Sequence, residues 1–195
     1  MSYAAALRIA RFHTSNEFGD WDTALHTFTF ANAVQQGLRR HFSPELLRGV
    51  FDAAMSIYLD RFLNVPSARL HEPQSKVEST AVLLQKLSDL LNQQQAVEQA
   101  GELVATYLFS GGDAKMLLQS LGGLLLREDR DFHTIQMVEA TFLQYSLLGP
   151  SPEGAHVLIA AARYLAAHSP TVRAQGQTYR IAQRLHRGER LYDGG

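Results

Sequence analysis

The chain has 195 residues, 46% of them hydrophobic and 19% charged, with 18 Lys and Arg against 19 Asp and Glu. That length and balance suit one globular domain with a real core and exclude a disordered chain. The absence of cysteine removes disulfides, thiol nucleophiles, CxxC redox chemistry, zinc ribbons and any Fe–S cluster held by this chain alone. A net charge of −1 makes a nucleic-acid partner unexpected.

The first stretch, MSYAAALRIARFH, has arginines within its short apolar run, the wrong pattern for a secretory signal. No stretch of the chain approaches 18 uninterrupted apolar residues, so no membrane span is expected. The expected setting is a soluble, cytoplasmic protein.

From Asp20 to Phe42 the pattern is helical, with two apolar stripes. Trp21, Leu25, Phe28 and Ala31 form one; Phe30, Ala33, Val34 and Gly37 form the other. Apolar residues on more than one side predict a central helix. Ser43-Pro44-Glu45 then supplies a capping hydroxyl, a proline at the first helical position and a first-turn carboxylate. Behind it Leu47, Val50, Phe51, Ala54, Tyr58 and Phe62 recur at helical spacing. This helix is expected to stop near Asn64, because Pro66 and Pro73 bracket a loop rich in breakers.

Further helices are expected near 78–92, 94–109, 113–127, 131–148, 152–168 and 170–187. Gly111-Gly112 and Gly149-Pro150 punctuate them, and Asn92 to Gln95 reads as a short link. Ser151-Pro152-Glu153 and Ser169-Pro170-Thr171 repeat the serine–proline start signal. Alternating β-type runs are absent. The expectation is an all-α fold of about eight helices in one domain, spanning residues 1–195.

Nucleotide and hydrolase motifs fail: SGGDAK lacks the Walker spacing, and GxGxxG, GxSxG and HExxH do not occur. With no cysteine, any metal site has to use histidine and carboxylate, the set suited to non-haem iron, manganese or zinc. Asp22 and His26 are i, i+4, as are Asp129 and His133, so each pair shares a helix face. Glu153 and His156 form an ExxH, of which ferritin-like di-metal sites need two; Glu153 also suits its helix dipole. Glu139 lies on one stripe with Phe132, Ile135, Phe142 and Leu143, where an unpaired charge is costly. It is expected to pair with Arg48 or Arg61, to protonate, or to bind a metal.

The candidate metal set is therefore His26, His133, His156 and Glu139. Against it, His26 between Leu25 and Phe28 also reads as a satisfied core histidine, and His168 as a cation at a helix C-terminus. His13, His41, His71 and His186 are assigned no role. A haem needs only one axial histidine and stays open as an alternative cofactor. The stretch Arg163 to Arg190 holds six arginines against Glu189 alone, which reads as a solvated final helix or as a basic face for an anionic partner. A helix-turn-helix would need a second short helix there, and SPTVRAQGQTYRIAQRL supplies one.

Four strings, DWDTALHTFTFANAVQQGLRR (20–40), ELLRGVFDAAMSIYLDRFLNVPSARL (45–70), LLREDRDFHTIQMVEA (125–140) and LIAAARYLAAHSPT (158–171), resemble the helical portion of bacterial Rieske-associated proteins. In those chains an uncharacterised helical domain accompanies a Rieske [2Fe–2S] domain. A Rieske centre needs two Cys and two His, so this chain corresponds to the helical module alone. The resemblance implies a Rieske-type redox partner and an electron acceptor in the helical module, and it raises His26, His133 and His156 above the other histidines. Two readings follow: a helical module that binds a partner or small apolar ligand as a homodimer, or an oxygenase-like or oxidase-like redox module built on the His/carboxylate set.

Overall fold

Ser43 and Ser151 do what their serine–proline context predicts: their hydroxyls accept the backbone N–H groups of Leu46 and Gly154 at 3.2 and 3.0 Å. The computed structural model describes residues 1–70 and 78–190, so His71 and Pro73 lie outside the described residues. Within them the helices are α1 (Ser2–Ala10), α2 (Phe18–Arg40), α3 (Pro44–Leu59), α4 (Thr80–Leu90), α5 (Val97–Phe109), α6 (Ala114–Arg127), α7 (Phe132–Leu148), α8 (Pro152–Ala167) and α9 (Ala174–His186), with a 3-10 turn at Asp60–Phe62. No strand occurs among the described residues, and no helix is long and apolar enough to cross a membrane. The fold is all-α.

The central helix is α8, not α2. Every residue from Val157 through Ala166 is buried, with α1, α5, α7 and α6 packed around it. Its run Ala160-Ala161-Ala162 lets neighbouring backbones come close, and Ala5, Ala6, Ile9 and Ala10 of α1 join the same core, all at most 1% exposed. Helix α1 has no side-chain cap; tertiary burial of its small apolar face holds it, as is usual for so short a helix.

Helix α2 forms a second layer, touching α1, α3 and α7. Its first stripe, Trp21, Leu25, Phe28 and Ala31, is buried as expected, while Phe30 of the second stripe is 41% exposed. Helices α2 and α3 meet through small residues. A Cβ added at Gly49 would stand 2.9 Å from a Val34 methyl, and Ala53 is the buried residue of α3. The close approach turns the large side chains of α3 outward.

Two glycines set the corner between α7 and α8. Gly149 ends α7 at φ +64°, a left-handed conformation that costs glycine little. A side chain at Gly154 would collide with the Gly149 carbonyl.

Ser169-Pro170-Thr171 does not begin a helix. Helix α9 starts at Ala174, and Asp129 caps it from a distant part of the chain, accepting from the Ala174 and Gln175 N–H groups at 2.7 Å each. Beyond that root α9 buries nothing and projects from the bundle. Arg180, Arg184, Arg187 and Arg190 are all exposed on it or just past it, which fits the solvated final helix. The other two arginines of that stretch serve the fold: Arg163 is wholly buried, and Arg173 pairs with Glu128 at 2.8 Å.

Candidate functional site

The starts of α2 and α7 and the end of α8 lie together and carry most of the histidine chemistry. Two groups form there. In the inner one, Asp22 Oδ1 accepts the Tyr164 hydroxyl at 2.6 Å and lies 3.4 Å from His168 Nε2. His168 closes α8 and donates Nδ1–H to the Tyr164 carbonyl at 2.8 Å, so that in the neutral ring the lone pair lies on Nε2. That nitrogen is buried without hydrogen-bond geometry, and the imidazole ring lies against the stacked Tyr164 ring and the tilted Phe18 ring, centroid to centroid at 4.1 and 4.4 Å. Burial lowers the His168 pKa, against the opposing pull of the Tyr164 carbonyl, Asp22 and Asp131. Burial raises the Tyr164 phenol, and the hydrogen bond to the Asp22 carboxylate raises it further. Burial thus favours the neutral form of both rings: the Tyr164 phenol keeps its proton firmly, while His168 resists taking up a second one.

In the outer group the His26 and His133 rings meet edge-on, with centroids 5.0 Å apart. Phe132 covers one face of His133 at 3.8 Å. The Asp131 carboxylate lies 3.6 Å from His133 Nδ1. Burial would raise the Asp131 pKa, but the Thr134 hydrogen bonds and His133 outweigh it and hold it low. Asp131 also caps α7, accepting the Thr134 N–H at 2.9 Å. This pair of imidazoles beside a carboxylate is the accessible part of the site.

The expected four-residue metal set does not converge. His26 and His133 come together; His156 and Glu139 do not join them. His156 sits in the first turns of α8, its Nδ1 2.9 Å from the Tyr3 hydroxyl of α1. Gly154, just before it, packs on Tyr145 of α7, roughly 18 Å along that helix from His133 at 1.5 Å per residue. Glu153 acts on His156 only as a nearby charge, opposing the burial that lowers the imidazole pKa.

Glu139 is exposed and makes no ion pair with Arg48, Arg61 or any other described residue. The apolar stripe that Glu139 shares is a surface stripe, not a buried one: Phe132, Ile135 and Phe142 are 60%, 47% and 37% exposed. The buried face of α7 lies beside it, on Met137, Val138, Ala140, Thr141 and Gln144. The i, i+4 pairs are divided too, since Asp22 serves Tyr164 while Asp129 caps α9. Among the described residues no three His, Asp or Glu side chains surround one metal position. Two imidazoles fall short of the three or four ligands that zinc or non-haem iron sites use.

Sequence reasoning missed the buried Asp22–Tyr164–His168 network. Its one local signal is that Tyr164 and His168 are i, i+4. The cleft between α1, α2, α3 and α7 has no local signal, because its lining residues come from four helices. No family model, no curated protein and no solved structure matches the chain.

Proposed function

We propose that this chain is a helical interaction module that pairs with a second copy of itself through the outer face of α3. One observation carries this reading. Leu47, Phe51, Met55, Tyr58 and Leu59, with Phe62 of the following turn, are 39–75% exposed along one side of a helix whose main packing partner is α2. Contiguous exposed apolar patches of this kind mark interaction surfaces. The charges on and beside the face are balanced, Glu45 and Asp52 against Arg48 and Arg61, as a self-complementary two-fold contact requires. Arg61 lies over the Tyr58 and Phe62 rings at 3.6 and 3.8 Å, an arrangement that presents a flat aromatic edge.

Sedimentation at micromolar concentration tests the reading. The expected result is a dimer that Phe51→Glu converts to a folded monomer. A wild-type monomer across this range, or a dimer indifferent to Phe51→Glu, removes it.

A second reading has its own support in the His26–His133 contact beside Asp131: a redox module holding iron, manganese or zinc, or a haem, and fed by a Rieske-type donor. Elemental analysis of untagged protein decides it. Metal bound at one per chain and lost in His26→Ala supports it; metal-free protein that takes up none of the three ions on addition counts against the metal form.

A further inference from the structure

A cleft of about 430 Å³ opens between the start of α1, the second half of α2, the inner edge of α3 and the end of α7. Its size falls within the range of about 300–1,000 Å³ typical of small-molecule sites. Ala31, Val34, Leu38, Val50 and Leu148 give it apolar walls. Polar groups converge at one side. Gln144, 2% exposed, donates to Asn32 Oδ1 at 2.8 Å and to Gln35 Oε1 at 2.7 Å. Ser2 adds a second donor to Gln35 Oε1 at 3.0 Å.

Fixing that oxygen twice orients the Gln35 amide, whose Nε2 has no partner among the described residues and is not sealed off from the cleft. One helical turn on, at i+4, stands the exposed Arg39, which makes no ion pair among the described residues. Among the described residues no carboxylate lines this cleft. Each of four other clefts has at least one: Asp89 and Glu102, Asp113, Asp131, and Glu98 respectively. An apolar cleft with an unpaired guanidinium and an amide donor on one face, and no competing acid, is complementary to an apolar molecule with an anionic head.

We propose that this cleft binds an amphipathic carboxylate, such as a medium-chain fatty acid, with its head on Arg39 and Gln35 and its chain between Val34, Leu38, Val50 and Leu148. The site goes beyond the pairing of two copies and does not depend on it. The outward side chains of α3 are not part of the cleft, which uses Val50 and Ala53 on the inner edge of that helix.

Titration calorimetry with decanoate, 1-decanol and decylamine at neutral pH, below their aggregation limits, tests the proposal. Decanoate is expected to bind at one per chain, at least about tenfold more tightly than decanol, with decylamine weakest; a charge-assisted contact carries that preference. Arg39→Gln, on an exposed residue whose change leaves the fold intact, should remove most of the preference and spare decanol binding. Val50→Trp should block decanoate and decanol together. Equal affinity for decanoate and decanol, an Arg39→Gln variant that binds decanoate as the wild type does, or no binding of decanoate would each overturn the assignment. Repeating the titration on Phe51→Glu keeps the two ideas apart: a monomer that still binds decanoate leaves the cleft standing whether or not the chain pairs.

Discussion

Arg163, wholly buried on the central helix, forms a two-pronged ion pair with Glu98 of α5, both contacts at 2.8 Å, and donates to the Phe12 carbonyl at 2.5 Å. One side chain thus ties α8 to α5 and to the end of α1. The partners are unequally placed: Arg163 has no solvent access, while the Glu98 side chain is 44% exposed. Removing the glutamate leaves a cation sealed in the core, whereas removing the arginine leaves a carboxylate that water can reach.

Glu98→Leu is therefore expected to cost on the order of 3 kcal/mol, at the lower edge for a broken buried pair because Glu98 is partly solvated. For a chain of this length that lowers Tm by roughly 6–12 °C. Arg163→Met should cost less, since it removes the buried charge together with its partner's obligation. Thermal melts of the two variants check this, and a larger loss in Arg163→Met would show that packing by the arginine stem dominates.

Glu128 holds the root of α9. Burial would raise its pKa, but hydrogen bonds from Arg173, Thr171 and Arg127 prevail and hold it at about 2, against an ordinary 4.5. A carboxylate with a depressed folded pKa contributes stability above its unfolded pKa. That contribution is lost as pH falls from about 4.5 through about 2, and amounts to on the order of 3 kcal/mol when complete. The arm should thus detach in acid before the bundle melts. At neutral pH, Glu128→Gln should expose Arg173 and the arginines of α9 to trypsin several-fold faster than in the wild type, with cleavage inside α8 unchanged. Equal cleavage rates would show that the Asp129 cap alone secures the arm.

Glu139→Gln is expected to change stability by no more than about 0.5 kcal/mol, the usual range for surface substitutions. Paired melts with and without chelator give the measurement. A loss of several kcal/mol would return Glu139 to a buried ion pair or a metal site, with α7 rotated to bury the Phe132, Ile135 and Phe142 stripe.

The contrast between Glu139 and the caps shows which parts of the fold the sequence makes legible. Ser43 and Ser151 act within three residues of themselves, so their signal is local and reads correctly. The period of α3 and α7 is local as well, and both helices form where the apolar spacing predicts. Which stripe faces inward is not local. On α7 the apolar residues Phe132, Ile135 and Phe142 lie beside a stripe of Met137, Val138, Ala140 and Thr141, and only the neighbouring helices decide between them. On α3 the decision goes to Gly49 and Ala53, because small residues allow the close approach to α2. Helix α1 is unreadable for a related reason: it has no side-chain cap, and its alanines hold it through their fit against α8 and α2. The start of α9 depends on Asp129, which no window of neighbouring residues includes. The His26–His133 contact and the Asp22–Tyr164–His168 network likewise join different helices, so spacing could nominate those residues but not pair them.

Acid should also weaken the bundle in a milder range, through two histidines. Burial lowers the pKa of His168 and of His156 below the ordinary 6.5; Asp22, Asp131 and the Tyr164 carbonyl oppose this at His168, and Glu153 opposes it at His156. A base with a lowered folded pKa binds fewer protons folded than unfolded in the interval between the two values, so stability rises with pH there. The stabilisation is complete above the unfolded pKa and declines as pH falls through 6.5. Glu128 does not contribute in this window, because its own transition lies below about pH 4.5. Tm measured at pH 7.5, 6.5 and 5.5 and constant ionic strength should fall at each step. His168→Gln removes the more deeply buried of the two titrations, so its Tm should start lower at pH 7.5 and fall less steeply. A wild-type Tm that rises towards pH 5.5 would mean that His168 takes up a proton and closes an ion pair with Asp22, reversing the sign. A variant with the wild-type slope would assign the pH dependence to His156 instead, and Tyr3→Phe, which deprives that imidazole of its hydrogen bond at 2.9 Å, would then change the slope where His168→Gln does not.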